Sequence, residues 1–163
     1  SSTGHKISGI RWDDIHFNDS EYEKWTAYGQ SKTAASLLAV EVDKRMKDSG
    51  VRAFGVHPGG IMTPLQRHLE QEEMVALGWM DKDGQPTERV AKMFKSATQG
   101  ASTTLWAATS PQLDGIGGVY CENCEVAAPT DDGENARFIG VNDWAVDSDE
   151  ASRLWDETEH MLS

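Results

Sequence analysis

Cysteine is scarce: two in 163 residues. That is too few for a disulfide framework and excludes a small domain held together by bridges. It suits a reducing compartment, so the cytoplasm is the expected location. Positive charge is also short. There are 15 Lys and Arg against 27 Asp and Glu, a net charge of −12 with His neutral. Such acidity argues against nucleic acid or an anionic membrane surface as a partner. No apolar run approaches the roughly 20 residues a membrane span needs. No signal-peptide pattern, internal repeat or low-complexity tract is visible. Nor does a G-x-G-x-x-G dinucleotide loop occur anywhere in the chain. The length is enough for one domain with a real core.

What is present centres on Tyr28-Gly29-Gln30-Ser31-Lys32. The pattern predicts a helix opening here and running to about Lys47, stopped by Ser49-Gly50 with Gly50 as a left-handed cap. Ala34, Leu38, Val42 and Met46 recur every four residues and are expected to form its buried stripe, widened by Leu37 and Val40. Glu41, Asp43, Lys44 and Lys47 are expected to fall largely elsewhere. On a helix, Tyr and Lys four apart lie nearly above one another. The ammonium favours phenolate and draws the phenol down from its reference pKa of about 10, which makes a general acid/base.

Upstream, Lys6 to Trp25 has no sustained period and reads as an ordered loop pinned by Trp12, Phe17 and Trp25. His5 and His16 have no partner spacing for a metal site. Downstream, Val51 to Val56 reads as a short buried strand, and helix, Gly stop and strand make half of a βαβ unit. The strand runs into His57-Pro58-Gly59-Gly60-Ile61-Met62-Thr63-Pro64. A Gly-rich segment at the carboxyl end of a parallel strand is where doubly wound α/β proteins bind ligands, although an ordinary Pro-Gly turn reads the same way.

Residues 65–95 form a polar excursion with scattered apolar residues, expected to hold one or two short helices and a turn, and to serve as a substrate lid. Ala97, Ala101, Leu105 and Ala108 pattern a second helix over Ser96 to Thr109, with Gly100 marking close packing. Gly117-Gly118-Val119-Tyr120-Cys121 reads as a strand, and Ala127 to Gly140 as loop. The last helix is placed from Asp147, with Glu150 set for a capping box and Ala151, Leu154, Trp155, Thr158 and Met161 or Leu162 as its buried side. Cys121-Glu122-Asn123-Cys124 offers two metal ligands at most and no helix N-terminus for a redox dithiol, so no metal is assigned.

Taken together, Tyr28-x-x-x-Lys32, the helix ending at Gly50 and the strand entering Pro58-Gly59 with Thr63 behind resemble the carboxyl-terminal part of the short-chain dehydrogenase/reductase family. The opening Ser1-Ser2-Thr3-Gly4-His5 resembles the Ser-Ser that ends the strand before that family's active-site helix. The closing Arg153-Leu154-Trp155-Asp156, the long acidic insertion before Tyr28 and Gln99-Gly100-Ala101 are similar to the retinol-dehydrogenase-like branch. The resemblance covers nearly the whole chain.

It implies an α/β fold: one partial domain, residues 1–163, forming the carboxyl-terminal portion of a doubly wound parallel-sheet Rossmann-type fold without its dinucleotide-binding strands. It implies an NAD(P)-dependent oxidoreductase acting on a small-molecule alcohol or carbonyl, bulky and apolar. Tyr28 resembles the acid/base and Lys32 the residue that holds the nicotinamide ribose. Ser2 resembles the residue that polarises the substrate oxygen, more than Ser1 does. Pro58, Gly59 and Ile61 match the segment along the nicotinamide, and Thr63 a hydroxyl that contacts the cofactor, NAD or NADP. A homo-oligomer through the Tyr28–Lys47 helix is a further implication. The family's Gly-rich loop and its catalytic Asn would lie before Ser1, so the chain is expected to be a fragment of the enzyme or, alternatively, a catalytically silent remnant or interaction module. The strands that are present are expected to leave an apolar edge exposed. The sugar-nucleotide epimerases also use Tyr-x-x-x-Lys, but the short distance to Pro58-Gly59 and the tail argue against them.

Overall fold

A 23-residue helix, α1 (Lys24–Met46), forms the spine onto which the rest of the chain packs. The computed structural model describes residues 1–133 and 136–163. Helix α1 begins one turn earlier than the sequence suggests. Glu23 caps it by accepting from the amides of Trp25 and Thr26, so Tyr28 lies within the helix and not at its opening. A short 3-10 turn continues to Ser49, and Gly50 ends it at φ 78°, as expected.

The buried face of α1 differs from the expected stripe. Thr33, Ser36, Leu37, Ala39 and Val40 are buried, whereas Leu38 and Met46 are 53% and 42% exposed. Thr33 and Ser36 are tolerated inside because their hydroxyls are used. Thr33 donates to the carbonyls of His5 and Ser8, and Ser36 donates to Ser1. Glu41 and Asp43 are buried as well. Glu41 accepts from Arg45 at 2.6 Å and from Ser152 at 3.0 Å. Asp43 accepts a two-pronged contact from Arg52 at 2.8 and 3.0 Å, and a third bond from the Ala53 amide. Charge-assisted bonds of this kind make burial of a carboxylate tolerable.

Strand β1 (Phe54–His57) is shorter than expected and largely half-buried; among the described residues it is paired on one side alone. It runs parallel to β2 (Val119–Glu122), with His57 opposite Glu122. β2 in turn pairs antiparallel with β3 (Glu125–Val126). Between β1 and β2 lie two 3-10 turns (Pro64–His68 and Pro111–Leu113) and three helices: α2 (Gln71–Ala76), α3 (Glu88–Met93) and α4 (Ala97–Thr109). Helix α4 buries Gly100, Thr103 and Ala107, one position off the expected stripe of Ala97, Ala101, Leu105 and Ala108. Gly100 is a close approach, as expected: a Cβ there would overlap Ile61 Cδ1 and sit 3.0 Å from its Cγ1.

Helix α5 (Ser148–Leu162) is capped by Asp147, which accepts from the amides of Asp149 and Glu150. Glu150 does not close a capping box; its carboxylate accepts from the Trp12 indole at 2.7 Å. α5 packs on α1 through Ala151 and Leu154. Thr158, Met161 and Leu162 are exposed, so they do not extend the buried side. The segment from Ala127 to Gly140 is loop where described, with residues 134 and 135 outside the described residues. The result is a mixed α/β fold around a small parallel sheet, with α1 on one face and α4 on the other.

Candidate active site

The site starts from an approach that two glycines permit. A 3-10 turn, Thr3–Lys6, lies across the N-terminal half of α1. A Cβ on Gly4 would overlap the Tyr28 ring, with Cδ1 2.9 Å away. One on Gly29 would meet Ile7 Cβ at 2.8 Å and the Ser8 amide at 2.9 Å. With no side chain at either position, the two backbones come close enough for Ser2 to reach Tyr28. The Tyr28 hydroxyl donates to Ser2 Oγ at 3.3 Å. Ser2 Oγ also accepts from the Gly4 amide at 3.1 Å. The Lys32 ammonium lies 5.1 Å from the Tyr28 ring centroid.

Ser1 faces the other way. Its hydroxyl donates to the Lys32 carbonyl and accepts from Ser36, each at 2.8 Å. Neighbouring serines therefore have different surroundings: Ser2 is turned towards the phenol, and Ser1 is taken up by the helix backbone.

His5, which the sequence left without a role, fixes this turn. It is fully buried. Its Nε2 accepts from the Asn142 amide at 3.1 Å, so the proton resides on Nδ1, which donates to the Ser2 carbonyl at 2.8 Å. Burial holds the imidazole below its ordinary range, in keeping with a neutral ring. The Trp144 indole donates to the His5 carbonyl at 3.0 Å, tying the turn to the segment before α5. The only sequence signal for this was a His immediately after Gly4.

Pro58, Gly59 and Ile61 follow β1 directly. Gly59 has φ 98°, a conformation glycine adopts without strain. Lys95 lies against it: the Lys95 amide donates to the Gly60 carbonyl at 2.8 Å, and its ammonium donates to Asn123 at 2.7 Å. Ile61 packs into the space left by Gly100. Thr63 stands further off and caps the next turn, accepting from the Leu65 amide and bonding Gln66. Among the described residues, no hydrogen bond joins it to Ser2, Tyr28 or Lys32. The structure thus brings Ser2, Tyr28 and Lys32 into one cluster and sets Pro58, Gly59 and Ile61 at the carboxyl end of the neighbouring strand.

His57, at the end of β1, has a buried Nδ1 with no hydrogen-bond partner among the described residues. Its pKa is pushed down to about 4, chiefly by burial and then by Lys95. Tyr120 and Glu122 on β2 also carry buried oxygens with no partner among the described residues, and burial pushes the Tyr120 phenol up. Cys121 is buried and its thiol is pushed up to about 11, which keeps it protonated and unreactive. Among the described residues, no cluster of three His, Cys, Asp or Glu side chains could hold a metal ion.

A helix bearing Tyr-x-x-x-Lys, followed by a parallel strand that leads into Pro58-Gly59, sits in a mixed α/β fold with a small parallel sheet, in keeping with part of a Rossmann-type fold. The chain is similar to members of the short-chain dehydrogenase/reductase family, which it matches in their carboxyl-terminal part. It is 37% identical, over its whole length, to the short-chain dehydrogenase/reductase prx1 of Penicillium roqueforti, covering 45% of that protein. A probable oxidoreductase of Streptomyces lividans is also 37% identical over the whole chain, which covers 54% of it. Mouse retinol dehydrogenase 12 is 30% identical over 99% of the chain, which covers 44% of it. The chain thus spans about half the length of the curated relatives it matches. A solved structure of an uncharacterized protein from Mycobacterium paratuberculosis superposes with a TM-score of 0.59 at 24% identity, covering 98% of this chain and 47% of that one. No family model matches. Among the described residues, no helix is long and apolar enough to cross a membrane.

Proposed function

We propose that this chain carries the acid/base half of an NAD- or NADP-dependent oxidoreductase that interconverts an alcohol and a carbonyl. The observation that supports this most directly is the 3.3 Å bond between the Tyr28 and Ser2 hydroxyls, beside the Lys32 ammonium. In reduction, Tyr28 gives its proton to the substrate oxygen as negative charge develops there; in oxidation it takes the hydroxyl proton. Ser2 donates a hydrogen bond to the same oxygen and fixes its position. Lys32 stabilises the phenolate and offers donors to the sugar hydroxyls of the cofactor.

Pro58, Gly59 and Ile61 would lie along the nicotinamide, with the Lys95 side chain against Gly59. Thr63 would contact the cofactor by exchanging its capping bond. The nicotinamide, when bound, supplies or accepts the hydride; the residues here supply position and a proton. The substrate is a small molecule with a bulky apolar body, and the excursion over residues 65–95 is its cover. The protein works as a fragment-bearing part of a longer enzyme, in the cytoplasm, where two free cysteines are at home. A second copy would pair along α1, which presents exposed Leu38 and Met46.

A silent remnant or interaction module is a second reading, favoured by the lack of any G-x-G-x-x-G in the sequence. Titration of the chain with NADH and with NADPH, followed by cofactor fluorescence, separates the two. Saturable binding at micromolar concentrations is expected; no binding of either cofactor would favour the remnant.

A further inference from the structure

The excursion is fastened to the acid/base helix at one carboxylate. Glu73, in α2, accepts from the Trp25 indole at 3.0 Å and pairs with the Lys24 ammonium. Both partners sit in the first turn of α1. The Trp25 ring in turn meets the Tyr28 ring edge-on, with centroids 6.0 Å apart and planes at 84°. Glu73 is therefore one residue removed from the phenol.

Most of the rest of the excursion is held by its own contacts, with Arg89 over the Phe138 ring and Lys95 bonded to Asn123 as further ties. Trp79 packs edge-on against Phe94, Thr87 bonds the Gly78 carbonyl, and Asp81 closes the turn to Gln85. Among the described residues, Glu73 is the only residue from 69 to 94 whose side chain hydrogen-bonds to a residue outside the span 60–95. Its side chain is 20% exposed, against 50% for Lys24. A partly covered carboxylate that accepts both a cationic donor and an indole is worth more than a surface ion pair.

We propose that Glu73 is a positioning residue: it holds the excursion on the first turn of α1 and, through Trp25, fixes the wall beside Tyr28 that a bulky apolar substrate would meet. The assignment of that wall to the substrate rests on the oxidoreductase reading; the fastening itself does not. With Glu73 in place, α2, whose Met74 and Val75 are half-buried, is held on the first turn of α1. Without it, no side-chain hydrogen bond joins α2 to α1 among the described residues.

The test uses the full chain carrying Glu73→Ala, Glu73→Gln or Lys24→Met. Amide hydrogen exchange reads the fastening without any need for turnover. Glu73→Ala is expected to speed exchange across 71–76 and 88–93 by about tenfold or more while leaving α5 unchanged. Glu73→Gln keeps an acceptor for the indole and is expected to fall between, as is Lys24→Met. Unchanged exchange in Glu73→Ala, or an equal rise in α5, overturns the proposal. Where the chain turns over with a nicotinamide cofactor, Glu73→Ala is expected to raise KM for a bulky apolar carbonyl about tenfold more than for a small one, with kcat nearly unchanged. An equal effect on both substrates overturns the role at the wall. Failure of the parent chain to turn over counts against the oxidoreductase reading alone, because exchange decides the fastening independently.

Discussion

The hydroxyl of Tyr28 donates to that of Ser2 at 3.3 Å across 26 residues of sequence. Ser1, the adjacent residue, instead donates to the Lys32 carbonyl. The two serines should therefore fail in different ways. Ser2→Ala is expected to lower kcat/KM about a hundredfold, as loss of one oxyanion donor does, and to cost about 1 kcal/mol of stability because Ser2 also caps the Gly4 amide. Ser1→Ala is expected to cost about 1 kcal/mol of stability and leave turnover largely intact. Steady-state kinetics and urea melts on both variants check this.

Gly4→Ala tests how the pair is assembled. The added methyl would overlap the Tyr28 ring. The ring must move or the turn must lift, at a cost of about 1–3 kcal/mol. Turnover should fall as it does in Ser2→Ala, although no reacting group has been removed. Normal kinetics in Gly4→Ala would mean that the close approach is not needed.

Acid should weaken the fold through His57. Its pKa is about 4 when folded, against an ordinary 6.5. Between these values the unfolded chain binds the proton and the folded chain does not. Stability therefore falls as pH drops from 6.5 to about 4, by at most about 1.4 kcal/mol per pH unit from this group. Below that window the contribution stops changing. His5 is shifted the same way and adds to the slope. Urea midpoints measured across this range should be flatter in His57→Asn than in the parent.

Gly100 and Ile61 form a pair that a double mutant can separate. Alanine favours a helix over glycine by about 1 kcal/mol, but its Cβ here would overlap Ile61 Cδ1. Overpacking should outweigh propensity, so Gly100→Ala is expected to destabilise by about 1–2 kcal/mol. Ile61→Val removes Cδ1. In that background Gly100→Ala should become close to neutral, and a urea double-mutant cycle reads the difference.

Some of this was legible in the chain and some was not, for reasons visible in particular residues. Gly50 and Gly100 were readable because a glycine at the end or in the middle of a helical pattern has few local explanations. Strand β2 and the order helix, Gly stop, strand were likewise local. The buried face of α1 was not. The helix has apolar residues on two sides, and hydropathy favoured Ala34, Leu38, Val42 and Met46. The side actually buried includes Thr33 and Ser36, whose hydroxyls are satisfied by partners 25–35 residues away. Glu41 and Asp43 looked like surface charge until Arg45 and Arg52 were placed beside them. At the site, the spacing of Tyr28 and Lys32 was readable from helix geometry. The contact with Ser2 depended on two glycines, Gly4 and Gly29, facing one another, and on His5 bonding to Asn142, 137 residues on. Such pairings leave no periodic trace.

The most direct test is turnover by Tyr28→Phe. The substitution removes the hydroxyl and keeps the ring that packs on Trp25 and over Gly4. It should be measured with NADH or NADPH and a bulky apolar carbonyl, alongside cofactor titration. The expected result is a loss of turnover of about a thousandfold or more with cofactor affinity retained. Turnover equal to that of the parent would contradict the assignment of Tyr28 as the acid/base.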